Sequence, residues 1–227
     1  MREFRYQLHC HTAPCSKCGA ITPYDLVHSL YEGGYSGAAV TNHFFNGNSG
    51  IDRDFPWKKF VSCYEKDYLE CRKFAAPLGI DILFGIEEHM GNGQEILCYG
   101  ITPEMLYVHP ELKNNSLELW YNTLSPLGVI IVQAHPFRVR SYVSEVGLFP
   151  TEFIHGIEVY NFGNSEEENL QAEAAFSDNP HFITTSGADA HLPHVLCHAG
   201  IISKERISSE KKLAEVLITQ QYSLIKE

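Results

Sequence analysis

Apolar positions along the chain gather into short continuous runs, separated by longer stretches with three- and four-residue spacing. The runs Phe4–Leu8, Gly37–Thr41, Ile82–Ile86, Val129–Ala134, Gly156–Tyr160 and Phe182–Thr185 predict buried strands, with weaker runs at Glu95–Tyr99, Ala199–Ile202 and Tyr222–Ile225. Between them the spacing predicts helices. Thr22 stands ready to cap a helix that starts at Pro23, carries Asp25 in its first turn and stops at Gly33–Gly34. A longer helix over Trp57–Leu78 lines up Phe60, Tyr64, Tyr68, Cys71, Phe74 and Leu78, and others are predicted over Ser116–Leu127, Ser165–Phe176 and Ser209–Gln220.

Strands alternating with helices imply a mainly parallel sheet covered on its outer face. About six to eight such units in a chain of 227 residues suit a compact β/α barrel, with an open doubly wound sheet as the competing architecture. No repeat, charge run or low-complexity linker divides the sequence, so a single domain over residues 1–227 is expected.

Composition narrows the function classes. An apolar content of 44% supports a sizeable core and excludes global disorder. The net charge of −11 is opposite to that of a duplex-coating protein, so stable nucleic-acid binding is not expected. A small anionic substrate remains compatible where bound metal ions reverse the local field. No apolar run approaches the roughly 20 residues of a membrane span. The start, MREFRYQLHCHT, lacks the apolar stretch of a secretory signal, and the seven Cys are odd in number and irregular in spacing. Reduced thiols in a cytoplasmic protein are the expectation.

The 12 His change the picture through their positions. The first predicted strand ends in His9-Cys10-His11, the second in Asn42-His43 and the third in Glu87-Glu88-His89; later ones lead to His135 and to Asp189-Ala190-His191. Taken singly, His135 before Pro136 reads as a turn residue and Glu87 as a surface acid. Metal-ligand types recurring at five strand ends are harder to dismiss, because parallel strands bring their C-terminal ends to one mouth. The mixed nitrogen and oxygen set favours Zn, Mn or Fe over Ca or Mg. There are more donors than one tetrahedral ion uses, so a carboxylate bridging two or more ions is expected, with Glu87 the leading candidate.

The ordered motifs H-x-H-T, T-N-H, G-I-E, A-H-P and S-G-A-D-A-H, running from His9 to His191, resemble the PHP (polymerase and histidinol phosphatase) family. The resemblance implies a distorted (β/α)7 TIM-like barrel with a two- or three-metal centre that hydrolyses phosphate esters of small molecules. It implies metal ligation by His9, His11, His43, Glu87, His135, Asp189 and His191, with Asp189 also a candidate proton acceptor. The chain departs from the family pattern at Asn42, where Asp is usual. It departs again at Cys15–Cys18, where many members carry His or Asp, and at Glu95 or Cys98, near a position that is often His.

Other residues carry weaker signals. Cys15-x-x-Cys18 can bind metal, exchange disulfides or pack, and no second such pair supports a zinc ribbon. Cys18 is a candidate for the missing ligand, Lys17 a candidate cation beside it, and Glu95 a candidate further ligand. Arg138, three residues past His135, is placed to reach a phosphate oxygen, with Arg140 a fainter version and a rim salt bridge as the plain alternative. His194 and His198 are fainter candidates for the mouth, while His28, His109, His155 and His181 are read as structural. No nucleophile elbow or dinucleotide fingerprint is present. Two competing functions stay open: an amidohydrolase-type metallohydrolase, and a metal-binding barrel without activity.

Overall fold

A computed structural model describes residues 3–178 and 181–227. Its strands are β1 (Phe4–Gln7), β2 (Gly37–Val40), β3 (Asp81–Phe84), β4 (Ile86–Gly91), β5 (Gln94–Tyr99), β6 (Ile130–Ala134), β7 (Gly156–Asn161), β8 (Ile183–Gly187), β9 (Ala199–Ser203) and β10 (Tyr222–Lys226). Its helices are α1 (Pro23–Glu32), α2 (Trp57–Ala75), α3 (Pro103–Val108), α4 (Leu117–Leu124), α5 (Glu166–Asp178) and α6 (Glu210–Thr219). As predicted, Thr22 caps α1 by accepting from Asp25 N–H at 3.1 Å. Ser116 and Ser209 cap α4 and α6 in the same way.

The strands form two five-stranded sheets, ordered β10-β9-β1-β2-β3 and β4-β5-β6-β7-β8. The expectation of a mainly parallel sheet is corrected. Four neighbouring pairs are parallel (β1–β2, β2–β3, β6–β7, β7–β8) and four are antiparallel (β1–β9, β9–β10, β4–β5, β5–β6). The predicted run Ile82–Ile86 spans two strands, one in each sheet. Gly85 separates them, and a Cβ there would stand 2.8 Å from the Thr41 methyl group. β4 and β5 then make a hairpin through Asn92-Gly93, both at positive φ (58° and 82°), which is the backbone such tight two-residue turns demand. Isolated parallel bridges, His43 to Glu87 and Cys10 to Ala190, link the two sheets where the site lies.

An inner apolar cluster holds Tyr6, Leu8, Ala39, Leu83, Leu97, Tyr99, Val132 and Ile201 from both sheets, together with Leu213 and Leu217 of α6. A second cluster packs the outer strand faces under α1, α2 and α4, with Cys10, Phe44, Phe60, Tyr64 and Trp120 among its members. The change from Leu8 in the inner cluster to Cys10 in the outer one breaks strict side alternation. That break turns both His9 and His11 toward the interior.

Buried Gln7 sustains it. Its Oε1 accepts from the N–H groups of Leu8 (2.9 Å), His9 (2.9 Å) and Ala188 (3.0 Å), donors that a regular ladder would have satisfied. Its amide nitrogen donates to the carbonyls of Leu196 and Ala199. Replacing Gln7 by Leu strands these groups, each at about 1–3 kcal/mol. A loss of at least about 2 kcal/mol in urea unfolding is expected, and an unchanged midpoint would contradict this role for Gln7.

Candidate metal centre

The side chains of His9, His11, His43, Glu87, His135, Asp189 and His191 meet at one end of the strands. Glu87, on β4 and fully buried, is at the middle. Its Oε1 lies 2.9 Å from His9 Nε2 and 3.2 Å from His135 Nε2, while its Oε2 lies 2.8 Å from His43 Nδ1 and 3.4 Å from His11 Nε2. Asp189 Oδ1 lies 3.1 Å from His11 Nε2 and 3.4 Å from His9 Nε2.

Most of these short approaches are not hydrogen bonds. His9 Nε2, His11 Nε2, His43 Nδ1, Glu87 Oε2 and Asp189 Oδ1 are buried and have no hydrogen-bond partner among the described residues. Donors bound at about 2.0–2.2 Å to one tetrahedral ion stand roughly 3.3–3.6 Å apart, close to the spacing found here. The donor set therefore fits divalent metal. Three groups have mutually close donor atoms: His9, His11, Glu87 and Asp189; His43, Glu87 and Glu95; and His11, His43 and His191. Glu87 belongs to the first two.

A surrounding layer fixes these donors. His9 Nδ1 is 3.0 Å from Glu158 Oε1, which orients the ring as carboxylates orient metal-binding imidazoles. Glu158 Oε2 accepts from His135 N–H and from Asn161 Nδ2, whose Oδ1 in turn accepts from Arg138 Nη2 at 2.8 Å. Arg138 Nη1 donates to Asp189 Oδ2 at 2.5 Å, and its Nε to Asn164 Oδ1. Ser16 Oγ holds His11 Nδ1 at 3.2 Å, accepts from His43 N–H and donates to Asn42 Oδ1. Asn42 also accepts from Thr12 N–H and donates to Thr12 Oγ1, and only the second bond needs an amide that a carboxylate could not replace. His135 (φ 28°) and Asp189 (φ 49°) are both in the left-handed region, strain that collects at functional sites. Gly187 is required by close approach, since a Cβ there would stand 2.4 Å from His9 Cβ.

Charge follows the geometry. Burial alone would raise the Glu87 carboxyl, but His9 and His43 hold it well below the usual carboxylate range. Asp189 is held low against burial by His9 and Arg138. Burial would depress His9, yet Glu158 and Glu87 raise it well above the ordinary histidine value, and Glu87 does the same for His43. Burial and the neighbouring His43 push His11 down to about 3. Burial and the Glu87 charge push Glu95 up to about 8. Burial would raise the Cys18 thiol, but His191 and His43 bring it down to about 6.

A cavity of about 540 Å³ opens onto the cluster, lined in part by His43, Glu95, Arg138, Arg140, Asp189 and His191. Cys18 lines it as well, with Sγ 3.1 Å from His191 Nε2. Lys17 is exposed and is not part of that lining, and Cys15 is buried against the Tyr64 carbonyl. His194 and His198 are also outside the lining; the His198 ring stacks on Phe162 at 4.5 Å. Glu158, Ser16 and Gln7 escaped the sequence analysis. Glu158 had a signal, because the tripeptide Gly-Ile-Glu that carries Glu87 recurs at Gly156–Glu158.

No family model matches the chain, and no curated protein does. Solved structures do. One is a two-domain protein from Bacteroides vulgatus described as containing a predicted PHP-like metal-dependent phosphoesterase, at TM-score 0.71 and 16% identity over 100% of this chain. The present chain spans 65% of that protein's length. Another is an amidohydrolase from Chromobacterium violaceum with bound sulfate and no metal, at TM-score 0.59 and 16% identity, covering 96% of this chain and 97% of that one. A third is the lesion-specific endonuclease PfuEndoQ from Pyrococcus furiosus, at TM-score 0.64 and 12% identity, covering 98% of this chain and 58% of that one. The chain shares their fold.

The protons on His9 and His43 must leave when a cation binds, so metal affinity is expected to rise with pH. Calorimetry in buffers of different ionisation enthalpy should show proton release on binding near pH 7, with affinity increasing from about pH 6 to pH 8. Equal affinity across that range would contradict the assignment of these imidazoles as ligands.

Proposed function

We propose that the protein is a metal-dependent phosphoesterase that hydrolyses phosphomonoesters or phosphodiesters of small molecules with two or three divalent ions, Zn, Mn or Fe. The observation that carries this is the buried Glu87 carboxylate, which approaches four imidazoles and belongs to two separate groups of close donor atoms. On this proposal the two sheets are the wall of a distorted (β/α)7 barrel and residues 1–227 form one domain, with the His43–Glu87 and Cys10–Ala190 bridges at its seams.

His9, His11, Glu87 and Asp189 would hold one ion, and Glu87 with His135 and Glu95 a second. Divalent ions there supply an activated water at neutral pH and offset the charge of a phosphoryl group. Asp189, a ligand on one oxygen, stands at the cavity wall as proton acceptor. Arg138 uses Nε, Nη1 and Nη2 once each to fix Asp189, Asn161 and Asn164, which leaves N–H donors for a phosphate oxygen in the cavity it lines. Arg140 adds a second cation on the same wall, although it also pairs with Glu168. The cavity suits a small phosphorylated ligand in volume. Seven free thiols support a cytoplasmic location, and no helix among the described residues is long and apolar enough to cross a membrane.

The amidohydrolase neighbour keeps a second reaction class in view. The bridge argues against it, since a carbamylated lysine is the usual bridge there and no lysine lines this cavity among the described residues. Turnover of a phosphate-ester panel and of a matched amide panel, each with Zn, Mn and Fe, separates them. Metal-dependent phosphate release is expected, and Glu87→Gln should reduce it by more than about a hundredfold while losing more metal than His43→Ala. Amide hydrolysis without phosphate release would overturn the assignment.

A further inference from the structure

We propose that Cys18 is a thiolate ligand of an outer metal ion, held with His43 and His191 at the mouth of the cavity. The proposal rests on the metal-dependent phosphoesterase assignment and adds an ion of different chemistry to that centre. Cys18 Sγ lies 3.1 Å from His191 Nε2, and the donor atoms of His11, His43 and His191 lie within 4.8 Å of one another. His43 Nδ1 is buried without a hydrogen-bond partner among the described residues. Sulfur and nitrogen donors at about 2.3 and 2.0 Å from one tetrahedral ion stand roughly 3.5 Å apart, so Cys18 and His191 need to separate only slightly to share one.

The loop that presents the thiol is built from specific bonds. Ser16 N–H donates to the Thr12 carbonyl at 2.9 Å, Lys17 N–H to the Asn48 carbonyl at 2.9 Å, and Gly19 N–H to the Ser16 carbonyl at 3.1 Å. Asp67, buried beneath, accepts from Cys15 N–H and Thr12 Oγ1. The same turn that directs Cys15 into the core thus directs Cys18 into the cavity, which separates the roles of two cysteines three positions apart. Lys17 is exposed and does not line the cavity.

A thiolate makes the outer position soft. It should favour Zn or Co over Mn, while the inner positions, built from imidazole and carboxylate, accept harder ions. Binding joins sulfur to the ion and releases the thiol proton to solvent, with no change of oxidation state.

Cobalt substitution reads this directly, because only a cobalt–thiolate bond gives an intense near-ultraviolet charge-transfer band. In metal-free full-length protein titrated with Co(II), the band should grow with the last equivalent bound. It should persist in Cys15→Ser and vanish in Cys18→Ser, which should also bind its last zinc ion more than about tenfold more weakly. Cys18→His should restore that equivalent without the band, which separates loss of a ligand from loss of the loop. Full cobalt occupancy with no band, or a band that survives in Cys18→Ser, would overturn the proposal. The band is independent of turnover. Its presence without phosphate-ester hydrolysis would sink the proposed function and leave the ligand standing, and turnover with no band would do the reverse.

Discussion

A carboxylate without solvent must be neutralised, and in this chain that constraint is concentrated on Glu87. Its side chain is fully buried among His9, His11, His43 and His135. A charge in that position is costly unless cations or well-aimed donors surround it. Of these four only His135 hydrogen-bonds the carboxylate, and His9 and His43 offset its charge by holding protons. Divalent ions between the imidazoles would take over that role and displace those protons.

The rest of the scaffold keeps that geometry against local preference. Gln7 replaces ladder bonds so that His9 and His11 both face inward. Gly187 leaves room for the His9 ring and Glu158. His135 and Asp189 accept left-handed backbone at roughly 1–3 kcal/mol each. A single hydrogen-bonded path, His9–Glu158–Asn161–Arg138–Asp189, closes around the donors, so a change at any member alters the aim of the others.

Much of this was legible in the sequence. Strand ends were visible because continuous apolar runs such as Val129–Ala134 stop at the residue types that bind metal, and helix starts because Thr22-Pro23 and Ser209 have unambiguous capping chemistry. The sheet's sense was not legible. The expected run Ile82–Ile86 hid a sheet break at Gly85, and the Asn92-Gly93 signal for the antiparallel hairpin lay between runs that periodicity alone left ambiguous. The supporting layer was hidden for a different reason. Gln7, Ser16 and Glu158 act through contacts made across the fold, and only the repeated Gly-Ile-Glu marked one of them. Cys18 and Lys17, neighbours with candidate roles on the sequence, part company because Cys18 lines the cavity and Lys17 does not.

The central claim is that the Glu87 carboxylate joins two cations. Electron paramagnetic resonance of protein loaded with two equivalents of Mn(II) tests it most directly, since a shared carboxylate couples the two spins. The account predicts an exchange-coupled spectrum that collapses to isolated Mn(II) signals in Glu87→Gln. Isolated signals in the unaltered protein at full loading would contradict it.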